Sequence, residues 1–196
     1  PVSAKPIDYS KPTFIQPKLD GVRCVIQYDF VNRKVTAYSR TGKEWKNIRH
    51  IEDQLTAFFA IYPAIILDGE LYNHDLRDNF EKIISLVRKT KPTAEDRVEA
   101  SELTQFHCYD IIDEKMPFHL RIDFVNEALM LPGDSIYIVD TEMVEHEEHA
   151  QSAHKENLKY GYEGSIVRTN DTYACKRSHN LRKFKDFHDA EATLTG

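Results

Sequence analysis

Two β-rich runs joined by a short polar turn are the feature that most constrains the fold. The stretch GVRCVIQYDFVNRKVTAYSR holds both runs, with the turn at Asn32 and Arg33. Apolar and β-branched residues on both sides of a polar turn are typical of a β-hairpin. A hairpin pairs its strands antiparallel and needs no crossover helix, so this pattern argues against a doubly wound parallel sheet.

The rest of the chain alternates less regularly between strands and helices. Further strands are predicted at AIILDGELY, TQFHCYDII, SIYIVDTEMV, EGSIVR, TYACKR and LRKFKDF. Helices are predicted over 48–61, from a cap at Asp78 to Val87, from Pro117 to Leu129, and over 145–160, while residues 93–102 stay ambiguous. Because strands outnumber helices and several are neighbours in sequence, the pattern predicts an α+β fold with mainly antiparallel sheets.

Composition narrows the class of protein. The chain has 196 residues, of which 41% are hydrophobic and 30% charged, as in soluble globular proteins. No apolar run approaches the roughly 20 residues that span a bilayer, so no membrane partner is expected. Three widely separated cysteines, without a C-x-x-C metal spacing, fit a reducing cytoplasm better than a disulfide framework.

The charge is unevenly distributed. A formal net charge of −6 argues mildly against a protein that binds nucleic acid over its whole surface. Residues 176–185, KRSHNLRKFK, nevertheless hold five Lys or Arg and no acid. A polyanionic partner is therefore expected to meet that segment.

Charged residues recur at a spacing of two within strand-like runs. The pairs are Lys18 with Asp20, Asp68 with Glu70, and Lys183 with Lys185. Side chains alternate along a strand, so both members of a pair point to the same face. One such pair is explained by a solvated sheet face. Three pairs together favour a polar cleft lined by two sheets.

A cleft with lysines and carboxylates suits phosphoryl-transfer chemistry. A lysine amine is nucleophilic only when deprotonated, so its pKa must fall from about 10.4. A carboxylate pair can bind Mg²⁺, and a metal with lysines can neutralise charge that develops on a phosphate. The G-x-x-x-x-G-K-[ST] phosphate loop is absent. The alternative for Lys18 alone is a turn lysine that pairs with Asp20.

Six segments, in order, resemble the motifs of covalent nucleotidyltransferases, the family of ATP-dependent DNA ligases and mRNA capping enzymes. KLDGVR (18–23) resembles the signature K-x-D-G-x-R. The others are YSRTGKEW (38–45), LDGELY (67–72), FHCYDII (106–112), YEGSIVR (162–168) and LRKFKDF (181–187). The resemblance covers residues 12–196. It implies an ATP-grasp-like nucleotidyltransferase fold, in which two mainly antiparallel sheets flanked by helices enclose a nucleotide cleft.

The resemblance also implies roles for single residues. Lys18 is implied as the nucleophile that attacks the α-phosphate of ATP and forms lysyl-AMP. Gln16 is implied to contact the base, Tyr109 to stack on adenine, Arg23 to contact the ribose or the end of the nucleotide, and Glu70 to bind the ribose hydroxyl. Phosphates are implied to meet Arg168, Lys183 and Lys185, the metal to meet Glu163, Glu70 and Asp20, and a DNA phosphate to meet Arg40.

Details of the motifs favour a DNA ligase of the small viral or bacterial type. Glu163 matches the ligase motif where capping enzymes carry D-G-[LI]-[IV], and RNA ligases tend to have asparagine where Arg23 stands. Residues 1–188 are expected to form the adenylation domain. Residues 189–196 are expected to begin a linker to an OB-fold domain that this chain lacks.

The expected function is to take AMP from ATP with Mg²⁺, pass it to a 5′-phosphate at a nick in double-stranded DNA, and support phosphodiester formation. A monomer acting in DNA repair and replication is expected. The expected place is the cytoplasm of a bacterium or phage-infected host, or the nucleus or virus factory for a eukaryotic virus. Two alternatives stay open: an RNA-directed capping enzyme or RNA ligase, and a non-catalytic nucleotide- or DNA-binding module.

Overall fold

The computed structural model describes residues 6–129, 134–175 and 180–184. The described strands are β1 (Thr13–Lys18), β2 (Val22–Asp29), β3 (Lys34–Ser39), β4 (Ile66–Tyr72), β5 (Gln105–Ile111), β6 (Ile136–Ile138), β7 (Glu142–Val144), β8 (Gly164–Thr169) and β9 (Leu181–Phe184). The described helices are α1 (Arg49–Gln54), α2 (Thr56–Ile61), α3 (Phe80–Val87), α4 (Ala94–Leu103), α5 (Phe118–Ala128) and α6 (Glu147–Lys159), with a 3₁₀ turn at His74–Leu76.

The strands form two sheets. A four-stranded sheet has the order β7-β1-β8-β9 and is antiparallel throughout. A five-stranded sheet has the order β3-β2-β4-β5-β6 and is antiparallel except between β5 and β6. The predicted α+β fold with two mainly antiparallel sheets is confirmed.

The predicted hairpin is β2 and β3. Its turn is held by the Asp29 carboxylate, which accepts hydrogen bonds from the backbone N–H groups of Val31 and Asn32 at 2.9 and 3.0 Å. Arg33 completes the turn with φ 51°, in the left-handed region that a tight reversal needs. The polar turn therefore supplies its own hydrogen bonds, as Asp and Asn in turns often do.

The predicted helix over 48–61 is two short helices. α1 and α2 are separated at Leu55, which keeps right-handed angles of φ −83° and ψ −2°. The apolar face of the predicted helix therefore continues across the break between α1 and α2. Its residues Ile48, Ile51, Phe58 and Phe59 are all buried. Other helices differ from prediction at their starts. Asn79, not Asp78, occupies the N-cap position of α3, and a Thr93–Asp96 capping box begins α4 in the stretch left ambiguous.

The run SIYIVDTEMV was wrongly predicted as one strand. Its first half is β6 of the five-stranded sheet and its second half is β7 of the four-stranded sheet. Residues 139–141 between them carry the chain from one sheet to the other. In the described part of TYACKR, Thr172 forms only an isolated bridge with Pro117, so the predicted strand is not seen there.

Each sheet packs helices against one face. Buried residues of α1, α2, α3 and α5 form the larger core with the five-stranded sheet. A smaller core joins α6 to the four-stranded sheet through Ile15, Val144, Ala150, Ala153 and Val167. The opposite strand faces border a cleft between the sheets. Within the described residues, no helix is long and apolar enough to cross a membrane.

Candidate active site

The cleft between the sheets has a volume of about 670 Å³ and gathers most of the predicted site residues. Its wall includes Gln16, Lys18, Arg23, Arg40, Glu70, Tyr109, Arg168 and Lys183. Glu163 lies beside this wall, in contact with Lys18. The prediction that Asp20 shares a strand face with Lys18 is wrong, because β1 ends at Lys18 and Asp20 is exposed after it. Lys185 lies outside the described residues. The alternation of strand side chains thus brings charges from both sheets together.

Lys18 ends β1 and forms an ion pair with the Glu163 carboxylate. The antiparallel register sets this contact, because Lys18 faces Gly164, the residue after Glu163. The Lys18 side chain is only 14% exposed, whereas a turn lysine is ordinarily solvated. Position 21 requires glycine, because a Cβ there would lie 2.5 Å from the Leu71 carbonyl oxygen. The segment KLDGVR therefore holds a lysine inside the cleft.

Glu70 lies on β4, on the cleft face. Burial, with a smaller contribution from the Asp68 charge, raises the pKa of the Glu70 carboxyl to about 8, although Lys18 and Arg23 act in the opposite direction. None of the described residues forms a hydrogen bond with this carboxyl group. Near neutral pH it is therefore mostly protonated and can donate a hydrogen bond as well as accept one.

Asp68 is the partner of Arg23. The guanidinium Nε and Nη2 donate to the two carboxylate oxygens at 2.9 and 3.1 Å. The Tyr173 hydroxyl donates to Asp68 at 2.6 Å and accepts from Arg23 at 2.7 Å, and the Tyr109 hydroxyl donates to Asp68 at 3.3 Å. This carboxylate thus fixes Arg23 and two aromatic rings at one end of the cleft.

Asp110 is fully buried and bound by two arginines. Arg121 Nε and Nη2 donate to its two oxygens at 2.7 and 3.1 Å, and Arg168 Nη1 donates at 2.8 Å. The Arg168 guanidinium also lies 5.2 Å from the Tyr109 ring centroid, and its Nε has no hydrogen-bond partner among the described residues. Arg168 is therefore held by Asp110, while its buried Nε–H group has no hydrogen-bond acceptor among the described residues.

Arg121 and Tyr173 were not predicted as site residues. A signal for Arg121 was present, because it lies three residues after Phe118 and four before Val125, on the apolar face of α5. An arginine on a buried face requires an acidic partner. Tyr173 had no comparable sequence signal. It lies in the run TYACKR, which was predicted as a strand and forms only an isolated bridge in its described part.

Gln16 is held in one orientation. Its Nε2 donates to the Tyr109 carbonyl oxygen at 3.1 Å and to Thr141 Oγ1 at 2.8 Å. A carbonyl oxygen only accepts, so the amide nitrogen must face it. No described residue donates to Gln16 Oε1. The side chain therefore presents an acceptor at the cleft wall.

Lys183 and Phe184 on β9 lie on opposite faces, as the alternation predicted. Lys183 lines the cleft, opposite Ile166 of β8. Phe184 packs edge-on against the His154 ring, at a centroid distance of 4.8 Å, on the side of α6.

A metal ion held by the described residues would need further ligands. Among the described residues, no three His, Cys, Asp or Glu side chains are grouped so that they could hold one. Mg²⁺ at nucleotide sites is commonly bound by one or two carboxylates together with phosphates and water. Glu163, which lies beside Lys18, is the candidate for a single carboxylate ligand of this kind.

A family model described as the ATP dependent DNA ligase domain matches residues 4–185. The chain belongs to this family. The match covers the first five motifs, the sixth as far as residue 185, and both described sheets, so the resemblance stated from the sequence is confirmed. Within the ATP-dependent DNA ligase family, the two-sheet fold with a nucleotide cleft is that of the catalytic adenylation domain, the nucleotidyltransferase unit.

Relatives of known name agree with this assignment. The DNA ligases of African swine fever virus isolates Pig/Kenya/KEN-50/1950 and Warthog/Namibia/Wart80/1980 are each 29% identical over 190 residues. Each alignment covers 92% of this chain and 43% of the relative. The chain therefore spans less than half the length of these curated relatives.

Solved structures support the fold. A Lig E DNA ligase is 21% identical and superposes with a TM-score of 0.71 over 92% of this chain and 64% of its own. The Chlorella virus DNA ligase-adenylate is 21% identical, with a TM-score of 0.67 over 97% of this chain and 69% of its own. At this identity the likeness concerns the fold alone.

Proposed function

We propose that this ligase-family chain adenylylates itself on Lys18 and passes the adenylyl group to nicked DNA. In the first step Lys18 Nζ, after losing its proton, attacks the α-phosphorus of ATP. A P–N bond forms, the bond to the bridging oxygen breaks, and pyrophosphate leaves. The observation that carries this proposal is the position of Lys18: low exposure, inside the cleft, and paired with Glu163.

The cleft residues suit an adenine nucleotide. Gln16 Oε1 can accept from the exocyclic amine of adenine, whereas guanine presents a carbonyl oxygen at that position. Tyr109 offers a ring for stacking, and Glu70 and Arg23 offer polar groups for the ribose.

The phosphates need cationic partners. Lys183 and Arg168 line the described cleft wall and are the proposed phosphate contacts, and Lys185 is expected to join them. These groups would stabilise charge on the transferred phosphate and the leaving group.

Mg²⁺ is the proposed cofactor, with Glu163 as its first protein ligand and with Glu70 and Asp20 as further candidates. When bound, the metal would withdraw charge from the phosphate oxygens. Glu163 would hold the metal from its position beside Lys18. The protein orients the Lys18 amine and the Glu163 carboxylate relative to each other.

The proposed DNA steps follow from the same site. AMP moves from Lys18 to the 5′-phosphate of a nick, the 3′-hydroxyl attacks that phosphate, and AMP leaves. Arg40, exposed at the cleft edge, is the proposed contact to a DNA phosphate. Contacts of this kind do not depend on base sequence and weaken with salt.

The proposed setting is DNA repair and replication in a reducing compartment, by a chain that acts as a monomer together with an OB-fold domain. Cys24 and Cys108 are buried free thiols and Cys175 is an exposed one, which supports a reducing environment.

The direct test uses the full chain with a nicked duplex, ATP and Mg²⁺, and measures the sealed strand on a denaturing gel. Pre-adenylylated nicked DNA, supplied to the same chain without ATP, isolates the last step. Sealing of the DNA nick with ATP supports the proposal. Adduct formation from GTP alone, or sealing confined to nicked RNA, would favour an RNA-directed enzyme instead.

A further inference from the structure

His74 connects the end of the strand that carries Glu70 to the turn that leads into Glu163. It follows β4 by two residues, in the 3₁₀ turn at His74–Leu76. Its Nδ1 lies 2.8 Å from the Tyr72 hydroxyl and its Nε2 lies 2.9 Å from the Tyr160 carbonyl oxygen. A carbonyl oxygen only accepts, so Nε2 donates, and in the neutral ring Nδ1 accepts from Tyr72.

The turn after α6 has a defined geometry. Gly161 has φ 88°, and the N–H groups of Gly161 and Tyr162 donate to the carbonyls of Leu158 and Asn157, each at 3.0 Å. These two bonds form a Schellman motif, which ends the helix and fixes the exit direction of the chain. Glu163 is the next residue after this motif.

Two further contacts join the 3₁₀ turn to the turn after α6. The His74 and Tyr162 rings pack with a centroid distance of 4.6 Å. A Cβ at Gly161 would lie 2.8 Å from Arg77 Nε, so the Arg77 side chain covers that glycine. Arg77 Nη1 also donates to the His74 carbonyl oxygen at 3.1 Å. We call the contacts of His74 and Arg77 with residues 160–162 the cross-sheet clasp.

The base of the 3₁₀ turn is itself anchored. Asn73 Oδ1 accepts from the Asp75 backbone N–H at 3.0 Å, and Asn73 Nδ2 donates to the Leu103 carbonyl oxygen at 3.0 Å. His74 therefore projects from an anchored turn that directly follows β4 of the five-stranded sheet. On the other side of Glu163, the register of β8 on β1 sets Gly164 opposite Lys18.

We infer that His74 is a positioning residue: through the cross-sheet clasp it sets where Glu163 lies relative to Lys18 and Glu70. Glu163 is anchored on its C-terminal side by the four-stranded sheet and on its N-terminal side by His74, which lies in the turn after β4 of the opposite sheet. Small displacements of a reacting or orienting group cost large factors in rate. This inference rests on the proposed function, in which Lys18 and Glu163 act together.

The kinetic test compares variants that keep different parts of the imidazole. In H74Q the side-chain amide can reach the position of Nε2 and donate to Tyr160, whereas in H74N it reaches only the position of Nδ1. H74F keeps a ring beside Tyr162 and loses both hydrogen bonds. H50F is the matched control, because His50 Nε2 also lies 2.9 Å from a backbone carbonyl, that of Thr104, and neither residue lines the cleft.

Lysyl-AMP formation by the full chain at saturating ATP is the readout, with melting temperatures measured alongside. H74F and H74N are expected to lower the rate constant roughly tenfold while the KM for ATP changes far less. H74Q and H50F are expected to stay near the wild-type rate. A wild-type rate in H74F, or an equal loss in H74Q and H74N, would overturn the inference.

A second measurement separates this inference from the proposed function. Acetic anhydride labels Lys18 without ATP, and the Glu163 carboxylate opposes labelling because it contacts the Lys18 Nζ that the reagent must reach. H74F is expected to raise Lys18 labelling roughly threefold, toward the level of E163Q, while H50F matches the wild type. Raised labelling with no adduct in the wild-type chain would retain the clasp and reject the function. If Lys18 labelling rises in E163Q but stays at the wild-type level in H74F, the inferred role of the cross-sheet clasp is rejected.

Discussion

Arg168 and Asp110 join the two sheets through a hydrogen bond of 2.8 Å between Nη1 and Oδ2. Arg168 belongs to β8 of the four-stranded sheet and Asp110 to β5 of the five-stranded sheet. Arg121 of α5 adds a bidentate contact to the same carboxylate. One buried acid therefore ties together both sheets and a helix at the back of the cleft.

We expect D110N to destabilise the fold by about 3–5 kcal/mol, because it leaves two buried guanidinium groups without their counter-charge. Urea unfolding followed by circular dichroism measures the loss. D53N is the control, since Asp53 and Arg49 form an exposed pair on α1 and its loss should cost less than about 1 kcal/mol. Equal stabilities for D110N and D53N would contradict a structural role for Asp110.

Thr141 is expected to set the preference for adenine by orienting Gln16. T141V removes one of the two acceptors for the Gln16 amide nitrogen and leaves the Tyr109 carbonyl as the other, so the orientation of the amide is held by one hydrogen bond in place of two. The preference for ATP over GTP in lysyl-AMP or lysyl-GMP formation should fall roughly five- to tenfold, the value of one hydrogen bond. Competition between labelled ATP and GTP measures it. T56V, which alters a helical hydroxyl bonded to the Glu52 carbonyl, should leave the ratio unchanged.

Glu70 is expected to make stability depend on pH. Its pKa rises from 4.5 to about 8 on folding, so between these values the folded chain keeps a proton that the unfolded chain releases. Stability therefore falls as pH rises through this window, and the loss is complete above about pH 8. E70Q removes the titration. Its melting temperature should match the wild type near pH 4.5 and exceed it at about pH 9.

The exposed Glu102 of α4 provides the control for that experiment. E102Q should follow the wild-type curve at every pH, because its side chain is solvated in the folded chain. Parallel pH curves for E70Q and the wild type would show that burial of Glu70 does not penalise its charge.

Arg40 is expected to act on DNA and not on ATP. R40A should leave the rate of lysyl-AMP formation unchanged, weaken binding of a nicked duplex, and reduce the slope of log affinity against log salt by about one. R88A, at the exposed end of α3, is the control. A loss of adduct formation in R40A would reassign Arg40 to the nucleotide site.

Local sequence signals predicted the elements that depend on local interactions. The hairpin turn follows from Asp29, Asn32 and Arg33, and strand alternation places Lys183 in the cleft and Phe184 against α6. The run SIYIVDTEMV looks like one strand because both halves have strand composition. Its division depends on which sheet each half pairs with, and that is a tertiary effect.

The candidate site was predictable to the extent that its residues lie in motifs. The partners that hold those residues come from distant elements: Arg121 from α5, Thr141 from the crossing between sheets, and Tyr173 from the segment after β8. The raised pKa of Glu70 depends on burial that only the folded chain produces. The roles of the site residues stay predictions until they are measured.

The most direct test of the central claim is the intact mass of the chain after incubation with ATP and Mg²⁺. The wild type should gain one adenylyl group and lose it when pyrophosphate is added. K82A should behave in the same way, because Lys82 is also paired with a glutamate, Glu99, but lies outside the cleft. K18A should gain nothing. An adduct that persists in K18A, or a wild-type chain that neither gains AMP from ATP nor releases it to pyrophosphate, would contradict the assignment of Lys18 as the nucleophile.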